Sequence, residues 1–382
     1  MKKIRILPII LLLVLSAFMF VSCEKEALPV AGFENPSLEI AIENDKAVIK
    51  GSFDNPSAIE GEYVLDFTIV KDGDEEGAIS RTKKYSLSAG KNEFRFEIGL
   101  YSANQTVRAG ISFEGESICD VTERNIKSFR ILSIGNSFSV DAQQWLYGIA
   151  KDMGYDNVIL GNLYYGGCSL YGHCNFYQNK KEEYTYYKNT TGTWEETGGV
   201  SLLHGLCDER WDYITLQQAS GASGDSSTYF PFLNDLKKIV DANKTNPIAE
   251  ILWHMTWAYS SDSTHQDFAK YENDQMKMYN AIVGAVNEKV VTTSGIADVI
   301  PAGTAIQNAR NTSLGDTLCR DGFHLELGYG RYLAGLTWIH KITGESIDEV
   351  TYIPDNMFDE ATLEILKDCA KKAVANPFEV TE

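Results

Sequence analysis

Phe129-Arg130-Ile131-Leu132-Ser133-Ile134-Gly135-Asn136-Ser137-Phe138-Ser139 is the stretch on which the reading of this chain turns. Its run of large apolar residues reads as a buried strand that ends in a glycine turn and presents a serine. Before it, from about residue 31 to 126, the apolar pattern has period two. Leu38-Glu39-Ile40-Ala41-Ile42, Val64-Leu65-Asp66-Phe67-Thr68-Ile69-Val70 and Phe94-Arg95-Phe96-Glu97-Ile98 alternate, with breaks such as Lys71-Asp72-Gly73-Asp74 between them. Short alternating strands at near-regular spacing predict a small all-β, Ig-like sandwich over 31–126. It holds one cysteine and no histidine, and so no evident chemistry.

After Phe129 the period changes. Residues 131–134, 158–160, 213–216, 251–253 and 290–292 read as five strands, and 140–153, 229–242 and 268–286 as helices between them. That alternation predicts an α/β domain over 127–382, with a parallel five-stranded sheet and helices on both faces. A last helix over about 359–375 carries Leu363, Leu366, Ala370 and Val374 on one face and closes the domain. Ligands of such sheets bind beyond the carboxyl ends of the strands, where Ser137 falls.

Residues 1–22 read as an export signal: Lys2, Lys3 and Arg5, then an apolar run over 6–21, then Ser22-Cys23. An uncleaved anchor is the other reading, although the run is short for a span. A cysteine after a small residue resembles the lipobox of bacterial lipoproteins, with Phe20 where Leu is usual. The resemblance implies a lipid on Cys23, a tether over 23–30, and a place in the bacterial cell envelope with membrane contact only through that lipid. Once 1–22 are removed, 31 Lys and Arg face 53 Asp and Glu, a net of −22. That field repels nucleic acid and anionic headgroups. Of the remaining cysteines, Cys168 and Cys174 stand close enough to bridge a loop, or stay free thiols. No partner pair stands at zinc-ligand spacing to Cys168, His173 and Cys174, and the expectation is no metal and no cofactor.

Far downstream comes Asp321-Gly322-Phe323-His324, a carboxylate three residues before an imidazole. With Ser137 it supplies the parts of a serine nucleophile, its base and the group that orients the base. Asp262-Ser263-Thr264-His265 has the same spacing but lies in a Ser-rich loop after the fourth strand.

Gly135-Asn136-Ser137-Phe138 and Asp321-Gly322-Phe323-His324 together resemble the Gly-Asp-Ser-Leu and Asp-x-x-His blocks of the SGNH (GDSL-type) hydrolase superfamily, in a lipoprotein branch of it, over about 129–342. The resemblance implies a flavodoxin-like sheet and metal-independent ester hydrolysis. Ser137 would be the nucleophile, His324 the base and Asp321 its orienting carboxylate. The oxyanion would take the N–H of Ser137 and of a glycine after the second strand, Gly167 or its neighbour Gly166. The Asn usual after the third strand is absent from Leu216-Gln217-Gln218-Ala219-Ser220. This segment resembles a Gln-bearing variant, in which Gln218, or Gln217 if the strand faces the other way, would be the third donor. His173, Trp253, His254 and Trp257 follow strands two and four and would line the pocket or pack under loops. The Tyr-rich segment 164–194 would stack on sugar rings or hold a long loop. The function expected is a serine esterase removing acyl (acetyl) groups from a small-molecule or glycan ester. Its alternatives are a lipase, thioesterase or acyltransferase with the same triad, and a glycan-binding lipoprotein with a vestigial hydrolase domain.

Overall fold

The computed structural model describes residues 32–43, 46–101 and 103–381. The export signal, Cys23 and the tether lie outside the described residues. An all-β region comes first: β1 (Glu34–Glu43), β2 (Lys46–Asn55), β3 (Glu62–Lys71), β4 (Asp74–Ser86), β5 (Gly90–Gly99), β6 (Asn104–Phe113) and the first half of β7 (Glu116–Gly135). β1-β2-β5 form one antiparallel sheet, while β4, β3, β6 and β7 pair in a second. Alternation does what period two requires: in β6, Gln105, Val107, Ala109, Ile111 and Phe113 point inward and their neighbours do not. Ile49 and Phe53 of one sheet share a core with Leu65, Phe67 and Ile111 of the other.

The twenty residues of β7 run straight from this region into the next. Up to Lys127 the strand pairs antiparallel with β6; from Ser128 it pairs parallel with β8 (Asn157–Tyr164). Its burial changes at the same place, from mixed to continuous over Phe129–Gly135. The change of period at Phe129 is therefore a change of surroundings along one strand, and the expected boundary at 126/127 falls inside it. Side chains bind the two halves as well: Arg124 to Asp156 at 2.6 Å, Lys127 to Glu345 at 2.9 Å, and Arg130 Nη1 to the Leu100 carbonyl at 3.0 Å.

Beyond β7 the chain runs α1 (Ser137–Gln143), α2 (Leu146–Asp152), β8, α3 (Leu170–Gln178), β9 (Tyr184–Asn189), β10 (Glu195–Val200), α4 (Leu202–Asp208) and β11 (Tyr213–Leu216). It continues through α5 (Phe232–Asn243), β12 (Glu250–His254), α6 (Gln275–Ala285), β13 (Asp298–Ile300), α7 (Ala302–Arg310), α8 (Tyr329–Thr343) and α9 (Glu360–Ala375). This is a mixed α/β domain around a large mixed sheet, in the order β10-β9-β8-β7-β11-β12-β13. The pairs β8–β7, β7–β11, β11–β12 and β12–β13 are parallel; β9 and β10 add antiparallel at one edge. The first strand of that edge hairpin, β9, lies in the Tyr-rich segment 164–194, and β10 follows directly after it.

The expected strand at 290–292 is a correction. Val286–Val290 continue α6 as a wider helical turn, with both valines buried on its apolar side. Helical packing overrides the β-branched residues there. The true fifth strand, Asp298–Ile300, is only three residues long and too short to show a period. The helix expected over 140–153 is two, parted at Gln144-Trp145, where Trp145 Nε1 donates to the Leu327 carbonyl at 2.8 Å.

Candidate active site

Ser137 is the first residue of α1, two residues beyond Gly135, the last of β7. The turn needs Gly135, because a Cβ there would lie 2.5 Å from Ser139 Oγ and 2.9 Å from Gln217 Oε1. Asn136 caps α1, its Oδ1 accepting from Phe138 N–H at 3.0 Å. The same side chain donates to the Cys168 carbonyl at 3.1 Å and accepts from Gln217 Nε2 at 2.8 Å. A carboxylate at this position could not donate to Cys168, so the amide ties the turn after β7 to the loops after β8 and β11 at once.

Ser137 Oγ lies 2.8 Å from His324 Nε2, and His324 Nδ1 lies 2.7 Å from Asp321 Oδ2. Asp321 Oδ1 also accepts the backbone N–H of His324 at 2.8 Å and of Phe323 at 3.2 Å. The carboxylate faces Nδ1, so Nδ1 carries the ring proton and Nε2 is free to take the serine's. Burial pushes the Asp321 carboxyl up, but the bonds from the His324 ring and from these N–H groups outweigh it and hold the group below its ordinary value.

Asp141 holds this loop against the serine's own helix. It is buried one turn after Ser137, accepts from Leu325 N–H at 2.8 Å, and pairs with Arg331 at 2.7 Å and Arg320 at 3.3 Å. Beneath the loop, Trp257 Nε1 donates to the Phe323 carbonyl at 2.7 Å and its ring stacks on Phe138 at 4.4 Å.

Ser137 and His324 open on a cavity of about 330 Å³. Gly166 and Gly167, then Ala219, Ser220 and Gly221, line it together with Phe323, which lies against the histidine, and with His265 and Asp267 beyond Phe323. Among the described residues, the N–H groups of Ser137 and Gly167 have no backbone acceptor. The N–H of Gly166, which also lines the cavity, is bare in the same way, so the turn offers either glycine as a donor beside Ser137.

Several expected roles are corrected. Gln218 does not reach the cavity: its Oε1 accepts from Leu170 N–H at 3.1 Å and Ala219 N–H at 2.9 Å, and its Nε2 donates to Thr228 Oγ1 at 3.0 Å. Both ends of the amide are spent on holding two loops. Gln217 points to Asn136 and accepts from His254 Nδ1 at 3.0 Å. His173, Trp253, His254 and Trp257 are all buried and none lines the cavity. His173 bonds the Tyr184 hydroxyl at 2.7 Å, and Trp253 packs on Tyr229. Burial pushes His173 and His254 down to about 3, so each stays neutral.

Cys168 lies 3.5 Å from His173 Nδ1, its thiol pushed up to about 12 by burial and so not a rival nucleophile. The six described cysteines are free thiols. No group of three or more His, Cys, Asp or Glu among the described residues is arranged to hold a metal ion.

Three contributors escaped the sequence reading. Asp141 had a signal, an acid between Val140 and Ala142 on a helix otherwise buried, and Arg331 is its partner at the start of another helix. Asn136 had one as well, since it is the residue before a helix. The wall formed by His265 and Asp267 had none, because only the packing of 263–267 against Gly322 and Phe323 brings it to the site.

Fold and site define a mixed α/β domain with a Ser–His–Asp relay at the end of its central strand. The chain matches the family model for a domain of unknown function, DUF4886, over residues 130–373, and it belongs to that family. A DUF4886 family protein from Bacteroides uniformis, known as a crystal structure, is 38% identical over 67% of this chain and 98% of that one, with a TM-score of 0.64. A carbohydrate acetylesterase from Xanthomonas citri is 9% identical over 82% of this chain and 76% of its own, with a TM-score of 0.33. A putative acylhydrolase from Bacteroides fragilis is 8% identical over 65% and 88%, with a TM-score of 0.33. Likenesses as slight as the last two say nothing about what this chain does. No curated protein matches it.

Proposed function

We propose that the protein is a serine ester hydrolase of SGNH type that removes acyl groups from carbohydrate at the cell envelope, where a lipid on Cys23 anchors it. The observation that carries the hydrolase reading is the continuous relay from Asp321 through His324 to Ser137 Oγ, opening on a cavity lined by unspent backbone donors. The strand order β8-β7-β11-β12-β13 also corresponds to the flavodoxin-like order 2-1-3-4-5.

In the proposed reaction, Ser137 Oγ bonds to the ester carbonyl carbon as its proton passes to His324 Nε2. Negative charge gathers on the carbonyl oxygen, facing the N–H groups of Ser137 and Gly167. Collapse breaks the bond to the alcohol oxygen, which takes the proton from His324. Water then attacks the acyl-serine, giving a proton to His324, and the acid leaves as that proton returns to Ser137 Oγ. Asp321 keeps the ring proton on Nδ1 and balances the imidazolium.

A fluorophosphonate probe tests this directly, since only an activated serine reacts with it. Wild-type protein is expected to be labelled on Ser137 and to hydrolyse p-nitrophenyl acetate. A folded protein that does neither would refute the reading.

A further inference from the structure

In an esterase of this kind the base returns its proton to the leaving alcohol, so the alcohol must lie on the His324 side of the cavity. That side begins with Phe323, and His265 and Asp267 follow beyond it. The Phe323 ring lies 4.0 Å from the His324 ring and 4.8 Å from that of His265, so the wall is continuous outward from the base. His265 Nδ1 accepts from Asp267 N–H at 3.2 Å, which leaves its ring hydrogen on Nε2, with no partner. One Asp267 oxygen pairs with Lys270 at 2.8 Å; the other accepts no hydrogen bond.

This wall thus offers a donor, an acceptor and an aromatic face, two residues apart in sequence and next to the base. Neighbouring hydroxyls on a carbon skeleton present the complementary set: one accepts from the imidazole N–H, the next donates to the carboxylate, and the C–H face lies on Phe323. An alkyl alcohol would leave the His265 N–H and the second Asp267 oxygen desolvated without a hydrogen-bond partner.

We propose that His265 and Asp267 bind adjacent free hydroxyls of the alcohol moiety, so that the preferred substrate is an acyl ester of a polyol with unesterified hydroxyls beside the ester. The inference rests on the esterase reading and adds to it the recognition of the leaving group.

Two acetates that differ only in those hydroxyls test it: 1-acetylglycerol and propyl acetate. Wild-type protein is expected to favour 1-acetylglycerol in kcat/KM by about 10-fold or more, the cost of leaving such groups unpaired. His265→Phe, which keeps the ring contacts, and Asp267→Asn, which keeps the shape, are each expected to bring that ratio toward one. Fluorophosphonate labelling of Ser137 reports whether each variant keeps a formed site. His265→Asn, which keeps an acceptor for Asp267 N–H, replaces His265→Phe if the latter is not labelled. A wild-type ratio near one overturns the inference with the esterase intact, and so does a ratio that survives in labelled variants at both positions. A wild-type protein that is neither labelled nor active on either ester takes down the esterase reading and this inference with it.

Discussion

In Asp321-Gly322-Phe323-His324 the carboxylate turns back on its own segment, accepting the N–H groups of Phe323 and His324 on one oxygen and the imidazole on the other. In Asp262-Ser263-Thr264-His265, at the same spacing, Asp262 is exposed and makes no bond to His265, whose Nδ1 accepts from Asp267 instead. The two segments touch: Ser260 N–H donates to the Gly322 carbonyl at 2.9 Å, and the rings of His265 and Phe323 are 4.8 Å apart. What separates them is one backbone conformation. Gly322 has φ +88°, which lets the turn close on its own carboxylate; Ser263 in the matching place has no such freedom. Spacing alone nominates both pairs, and the glycine selects one.

Exchanging the roles of the two histidines would break that comparison most sharply. Ser137→Ala and His324→Ala are expected to lose about 10⁴-fold or more in kcat on p-nitrophenyl acetate, because members of such a relay act as a unit. His265→Ala should lose far less on the same ester. Steady-state kinetics rank them, and a His265 defect deeper than that of His324 would move the base to the other segment.

Gly322→Ala sharpens the comparison at its hinge. Alanine is strained at this φ, and its Cβ would lie 3.0 Å from Ser263 Cα. A displaced His324 is expected to lower kcat by about 10²-fold with a smaller change in KM, as for any misaligned base. Unaltered kcat would mean that the turn does not place the histidine.

Asp141 and Asp262 extend the contrast from geometry to stability. Asp141→Asn leaves Arg331 and Arg320 facing a neutral group in a buried place, and about 3 kcal/mol of stability should go with it. Exposed Asp262→Asn should change stability by no more than about 0.5 kcal/mol. Urea unfolding of both variants measures the difference. Equal midpoints would deny Asp141 its role in anchoring the loop.

Ser137 and the 321–324 segment were legible in the sequence because a strand-end glycine and an Asp-x-x-His spacing are local marks. Strand β11 was legible for the same reason, its four residues Tyr213–Leu216 being bounded by polar segments. Gln217 and Gln218 were not. Alternation says that they face opposite ways, but whether either reaches the substrate depended on where Thr228 and Asn136 would come to lie. Strand β13 was hidden by its length, and Val290 misled because a helix and a strand bury valine equally well. His254 and Trp257 were correctly placed at a strand end, yet a residue at a strand end can lie beneath the site as easily as in it.

His254 and His173, buried and away from the cavity lining, offer the smallest effect. Burial pushes each down to about 3 in the folded protein, against about 6.5 for an unfolded histidine. Between those values the unfolded chain holds protons that the folded one does not. Their contribution to stability is therefore whole above about pH 6.5 and declines as the pH falls toward 3, by about 2 kcal/mol for each at pH 5. His254→Gln should remove one of the two protons from the slope of unfolding free energy against pH. Urea titrations from pH 7 down to pH 4.5 give the slopes. An unchanged slope in His254→Gln would mean that this imidazole takes up its proton on Nε2 without leaving the fold, its Nδ1–H still donating to Gln217.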